Sequence, residues 1–281
     1  MIPTCIAIRL TPVWICLLVH FADGKWPTPF QCLARVQDYG FSVSAFKRNP
    51  LVLVTHMFVH ASDEHFVGNV MLLLCTLLEL GEDCFQIGVA DRGMWKSIKE
   101  AAGATAVLII GGVSGVAGQL LFDYAQLKWK RWKGMFSVKS LIGFFHEEEE
   151  GIFSTLKSQF DSWVGSVTYS MGKHRVDTSF MCGASAGGYA IHGFGAAYRG
   201  TWITVWMAAA LEVFKLATAT LGGKPTSGSS GTGWGWWWGP GETVGHAAHL
   251  GGLGAGVLMG LGWRWWREHR RRHRFRRTLY T

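Results

Sequence analysis

Charge is scarce in this sequence: Asp, Glu, Lys and Arg together make up only 16% of its 281 residues, against about 25% in an ordinary soluble domain. The stretch 101–122 carries no charge at all, and about 20 apolar residues suffice for a helix to cross a bilayer. Cysteine occurs six times but never as a CxxC pair or at regular spacing, which argues against a zinc ribbon and against a disulfide framework. Most of these cysteines lie in or beside apolar stretches, where cysteine is a small buried hydrophobe. No His-Glu-x-x-His is present, so the histidines offer no metalloprotease pattern. The alternation of strand and helix patterns that marks an α/β fold is missing. No basic region precedes the apolar run at 2–22, so that run reads as a retained first span, with Arg9 snorkelling, rather than as a cleaved signal.

What is abundant fits the same picture. Hydrophobic residues make up 49%, with 37 glycines and 15 tryptophans; both types are enriched in or at the edges of membrane helices. Six candidate spans emerge, at about 3–21, 64–80, 101–122, 180–198, 202–221 and 243–263. They predict an all-α membrane protein, a six-transmembrane-helix bundle over 1–263. A long polar insertion fills 123–179, with a basic patch from Lys128 to Lys133 and an acidic run from Glu147 to Glu150 that read as solvated faces. Residues 222–241 form a Gly/Ser-rich loop with a cluster of Trp. The segment 264–281 is a basic tail with eight arginines between Arg264 and Arg277. It reads as a cytoplasmic anchor to anionic lipid and not as a nucleic-acid site, since no nucleic-acid module precedes it.

An even number of spans puts both termini on one side. With the arginine tail inside, the polar residues of the spans fall near the outer face. Lys and Arg totals on the two sides nearly balance, so only the dense tail sets this orientation.

Polar groups in lipid are costly and are functional candidates by default. Three clusters stand at the starts of apolar spans: His60 to Asn69, Gly183 to Tyr189, and Ala248 to Gly252. Ser185 is the candidate nucleophile, flanked by Gly183 and Gly187, which let backbones approach and free the local amides. His249 is the candidate general base and acid. Gly252, Gly256 and Gly260 follow it at four-residue spacing, a stripe that lets helices touch backbone to backbone. Tyr189, one turn past Ser185, is placed to stack on the His249 ring. His65 and Asn69 form an i, i+4 pair able to donate to a tetrahedral oxygen, with the Ser185 N–H as a third donor, and His60 is placed to position them. No carboxylate stands out as a third triad member: Glu212 and Asp63 are candidates, but no spacing selects either, so a Ser–His dyad is the simpler expectation.

Two other readings weigh less. Gly-x-Ser-x-Gly at 183–187 also fits the nucleophile elbow of soluble α/β hydrolases, which requires a preceding strand. His56, His60, His65, His246 and His249 could compose a metal site, but Asn69 has no use as a ligand there. His246 reads as an outer-face residue and His192 as a satisfied interior histidine.

The chain resembles the rhomboid intramembrane serine proteases. His60 with His65-x-x-x-Asn69, Gly183–Ala184–Ser185 with Tyr189, and His249-x-x-Gly252-x-x-x-Gly256 occur in the family's order. The resemblance implies a serine endopeptidase that cleaves single-span membrane proteins in or next to their transmembrane helix. Ser185 and His249 would form the dyad, with His65 and Asn69 at the oxyanion hole. The fifth span and the 222–241 loop would resemble a lateral gate and cap. Transmembrane substrates and lipid are the implied partners, and neither metal nor organic cofactor is expected. Two features depart from the family. Ala186 stands where rhomboids usually have glycine, a methyl expected to crowd the fourth and sixth spans. The aromatic–arginine dipeptide has only a loose echo in Phe46–Lys47–Arg48. A relative that binds membrane clients without cleaving them is the alternative.

Overall fold

The computed structural model describes residues 4–80, 84–85, 94–135, 181–221 and 245–279. Within them the chain is all-α; the one extended contact is an isolated antiparallel bridge between Phe41 and Met181. The helices are α1 (Thr4–Arg9), α2 (Thr11–His20), α3 (Pro29–Tyr39), α4 (Val43–Arg48), α5 (Val52–Thr55), α6 (Asp63–Glu79), α7 (Met94–Met135), α8 (Ser185–Arg199), α9 (Trp202–Leu221) and α10 (His246–Leu279). One helix among the described residues is long and apolar enough to cross a membrane, α7 over Met94–Gln126.

The first apolar run is not one helix. Pro12 has no N–H to offer the Ile8 carbonyl, and a proline inside a helix kinks it at that turn. The Thr11 hydroxyl takes the vacated place, donating to the Ile8 carbonyl at 2.5 Å. Arg9 does not snorkel: its Nε lies 3.2 Å from the carboxylate of Glu100 on α7.

Residues 22–63, between the first two expected spans, are about half helical. A capping box starts α3, with Gln31 N–H donating to the Thr28 hydroxyl and Thr28 N–H to the Gln31 side chain; Pro29 at the first position suits a helix start. Ser42 caps α4 by accepting from Ala45 N–H. Phe41, Ala45 and Val52 then pack on Val116 of α7.

The expected insertion at 123–179 begins as helix, since α7 runs on to Met135. Its remainder, the acidic run included, lies outside the described residues, as does the 222–241 loop. The boundary expected at 263 falls inside α10, which continues unbroken through the arginines to Leu279.

Three helices make the centre. Glycines of α10 face carbonyls of α8: a Cβ added at Gly252, Gly256 or Gly260 would run into Ala186, Ala190 or Phe194. Gly118 of α7 faces Ala247, and Gly251 of α10 faces Ser114 of α7. Small residues bring backbones close enough for dense van der Waals packing. Around this clamp, α2, α6 and α7 add Cys16, Leu73, Leu77 and Leu108 to Ile191 and Phe194 of α8. Cys16, Cys32, Cys75, Cys84 and Cys182 are free thiols, three of them buried.

Candidate active site

The nucleophile segment is held as a short extended stretch ahead of α8. Met181 and Phe41 exchange backbone hydrogen bonds of 2.8 and 2.9 Å, and Gly183 N–H donates to the His56 carbonyl at 2.8 Å. Gly183 has φ +94°, a conformation that L side chains rarely adopt, and an added Cβ would lie 2.7 Å from the His65 ring and 3.2 Å from the Asn69 amide nitrogen. Glycine is required there on both counts. Helix α8 then begins at Ser185, so the first-turn N–H groups have no partner inside the helix.

Three helix N-termini meet at this point. His65 is the third residue of α6, Ser185 the first of α8 and His249 the fourth of α10. Helix N-termini carry partial positive charge and favour an anion beside them. The arginines of α10 begin 15 residues beyond His249, about 22 Å along the helix.

Ser185 Oγ lies 2.8 Å from His249 Nε2. Ser185 is half-buried and His249 is buried. Tyr189 stacks on His249 with centroids 4.6 Å apart and planes 13° from parallel. The opposite nitrogen, His249 Nδ1, lies 2.9 Å from Glu212 Oε2. Glu212 is fully buried. It also receives His246 Nδ1 at 2.8 Å, Tyr189 Oη at 2.6 Å and Lys215 Nζ at 3.3 Å. A carboxylate has about four lone-pair positions, and all four are filled.

The sequence offered no spacing that selects Glu212, because it approaches from α9, 37 residues from His249. Its one signal is chemical: a Glu with a Lys three residues on, in an otherwise uncharged helix. His246 is likewise no idle outer-face residue, since it donates to Glu212. The other carboxylate considered, Asp63, is engaged elsewhere, 3.2 Å from His20 Nε2. His192 is satisfied, by Glu79 at 3.3 Å, but is half-buried rather than interior.

The Ala186 methyl does not wedge α8 from α10. It faces Gly115 of α7, where an added Cβ would lie 2.5 Å from it; toward α10, residue 186 presents its backbone to Gly252. The departure at 186 is therefore accommodated by a glycine on a third helix.

His65 and Asn69 both border Gly183, two residues before Ser185. Asn69 is buried, and its amide nitrogen donates to the His65 carbonyl at 2.8 Å. His60 sits edge-on to His65 with centroids 5.5 Å apart, a packing contact rather than a hydrogen bond. His56 anchors the segment in a way the sequence did not reveal. Its carbonyl holds Gly183, and its Nδ1 lies 3.0 Å from the Val52 carbonyl. Burial pushes its imidazole down to about 4 from an ordinary 6.5, and burial likewise holds His60 well below that value.

Among the described residues, one trio has the donors for a cation: Glu212, His246 and His249, with candidate ligand atoms within 4.8 Å of one another. Sequence spacing did not single it out. The Lys215 ammonium on the same carboxylate already supplies positive charge. No family model, curated protein or solved structure matches this chain.

Proposed function

We propose that this chain is a rhomboid-like intramembrane serine endopeptidase of six spans. The spans would be α1 with α2, then α6, α7, α8, α9 and α10. The observation that carries the reading is the 2.8 Å contact between Ser185 Oγ and His249 Nε2 at the meeting of three helix N-termini. Lipid exposure accounts for the large apolar side chains on the outer surface. Leu18 (73% exposed), Ile203, Trp206, Phe214 and Leu258 face outward, as side chains set against lipid would.

The chemistry follows from the contacts. His249 Nε2 takes the Ser185 proton as Oγ bonds to the scissile carbonyl carbon. The negative oxygen is met by the free N–H groups of the α8 N-terminus and by His65 and Asn69. The C–N bond breaks as His249 returns the proton to the leaving amine. Water then attacks the acyl-serine, again through His249, to release a carboxylate and free Ser185. The substrate is a single-span membrane protein whose helix unwinds locally, since a peptide bond in a helix is shielded. The Ala186 methyl, the feature favouring a non-cleaving relative, is accommodated at Gly115.

A fluorophosphonate probe on the reconstituted full chain tests the reading. Labelling should map to Ser185 and vanish in Ser185→Ala and His249→Ala, and both variants should lose cleavage of a transmembrane reporter. Absence of labelling in the unsubstituted protein would refute it.

A further inference from the structure

We propose that Glu212 is a positioning residue that extends the pair into a Ser185–His249–Glu212 triad assembled from three helices. The proposal rests on the serine-hydrolase reading and adds to it the group that fixes which nitrogen of His249 carries the proton.

An ionised carboxylate only accepts hydrogen bonds. At 2.9 Å from Glu212 Oε2, His249 Nδ1 is therefore the protonated nitrogen. Nε2 is left with its lone pair toward Ser185 Oγ at 2.8 Å, the tautomer a general base needs. When the Ser185 proton arrives at Nε2, the imidazolium has a negative group behind it. Glu212 takes no proton at any step.

The surroundings keep Glu212 ionised and still. Tyr189 Oη at 2.6 Å and Lys215 Nζ at 3.3 Å occupy Oε1, and His246 Nδ1 at 2.8 Å shares Oε2 with His249. Tyr189 acts twice, since its ring is stacked on the His249 ring that its hydroxyl helps to orient through Glu212. Chain order is Ser, then Glu, then His, the order of the α/β hydrolases. No strand among the described residues precedes Ser185, so the arrangement stands on a helical frame instead.

The test is the rate of fluorophosphonate labelling at Ser185 across pH, on the reconstituted full chain. Glu212→Gln keeps the shape and removes the charge. Labelling should slow by up to about 10⁴-fold near neutral pH, the loss seen when the carboxylate of a serine-protease triad becomes an amide. The acid limb of the profile should also move to lower pH, because the imidazolium has lost its counter-charge. The other titratable groups facing His249 or Glu212 are His65, Tyr189, Lys215 and His246, and none is altered. Glu212→Asp should recover part of the rate and most of the profile, which a structural role would not predict.

Should Glu212→Gln fail to fold, Glu212→Asp alone decides. A reduced rate at an unchanged unfolding midpoint supports the triad; an unchanged rate, or a rate loss matched by lost stability, overturns it. Equal labelling of Glu212→Gln and the unsubstituted protein would overturn the triad and leave the Ser185–His249 reading intact. Failure of the unsubstituted protein to label would instead remove that reading.

Discussion

Gly252→Ala probes the feature on which the geometry most depends, the closeness of α8 and α10. A Cβ at 252 would lie 2.8 Å from the Ala186 carbonyl carbon and 3.2 Å from its Cα, and nearer still to its oxygen. Carbon atoms rest at about 3.5–4.0 Å, so the two helices must part by about 1 Å. Overpacking of this kind costs about 1–3 kcal/mol, of which alanine's better helix propensity returns up to about 1. The loss of stability is therefore modest. The loss of reactivity is larger, because Ser185 adjoins Ala186 and His249 is one turn before Gly252. Separating those backbones lengthens the 2.8 Å contact between the proposed nucleophile and base, and a 1 Å misplacement costs about 10²-fold. Fluorophosphonate labelling rate and thermal unfolding should be measured side by side. Gly254→Ala and Gly262→Ala serve as controls, since a Cβ at either meets nothing within 4 Å; both should label normally and be no less stable. If Gly252→Ala labels as fast as the unsubstituted protein, helix closeness does not set the site.

Three further outcomes are expected. Gly115→Ala should lose about 1–3 kcal/mol in denaturant unfolding, since its Cβ would lie 2.5 Å from that of Ala186 and 2.9 Å from the Ala248 carbonyl oxygen. Ala186→Gly should restore part of that loss, and simple additivity in the double-mutant cycle would count against the contact. For His56, the folded imidazole titrates near 4 and the unfolded one near 6.5, so the unfolded chain binds the extra proton between those values and stability falls as pH drops through the window. The contribution is about 3 kcal/mol by pH 4, and His56→Gln should flatten that part of an unfolding-versus-pH curve. Arg9→Met should cost about 3 kcal/mol, because it takes the guanidinium from buried Glu100 while Lys96 stays 3.9 Å away. Adding Glu100→Gln should recover most of that cost, and an unchanged unfolding midpoint for Arg9→Met alone would refute the pairing.

Local chemistry was legible in the sequence wherever it repeated along one helix. The stripe Gly252, Gly256 and Gly260 announces a close face, and Tyr189 one turn from Ser185 announces a stack on whatever Ser185 meets. Helix starts at Asp63 and Trp202 follow from composition almost to the residue. What depended on two remote segments meeting was not legible. Phe41 pairs with Met181 across 140 positions, and His56 holds Gly183 through a backbone carbonyl, which any residue could supply. Pro12 breaks an apolar run that composition alone reads as one span. The direction of the Ala186 methyl was misjudged because residue 186 has two neighbours, and only the packing decides that its side chain meets α7 while its backbone meets α10.

Glu212 shows why stability and reaction must be read separately. Burying a carboxylate costs several kcal/mol, and apolar residues of similar volume often hold helices together as well or better. If the role of Glu212 were to fasten α9, which otherwise packs through Val205, Ala208 and Ala209 on Leu253, Tyr189 and Val257, an apolar set would serve. The carboxylate offers two things such a set lacks: a negative charge behind the imidazole and a demand that Nδ1 carry the proton. Both act on Nε2 and neither on helix packing. A charge-removing, shape-keeping change should therefore slow reaction far more than its effect on unfolding predicts, and proportionate losses in the two would mark Glu212 as a fastener.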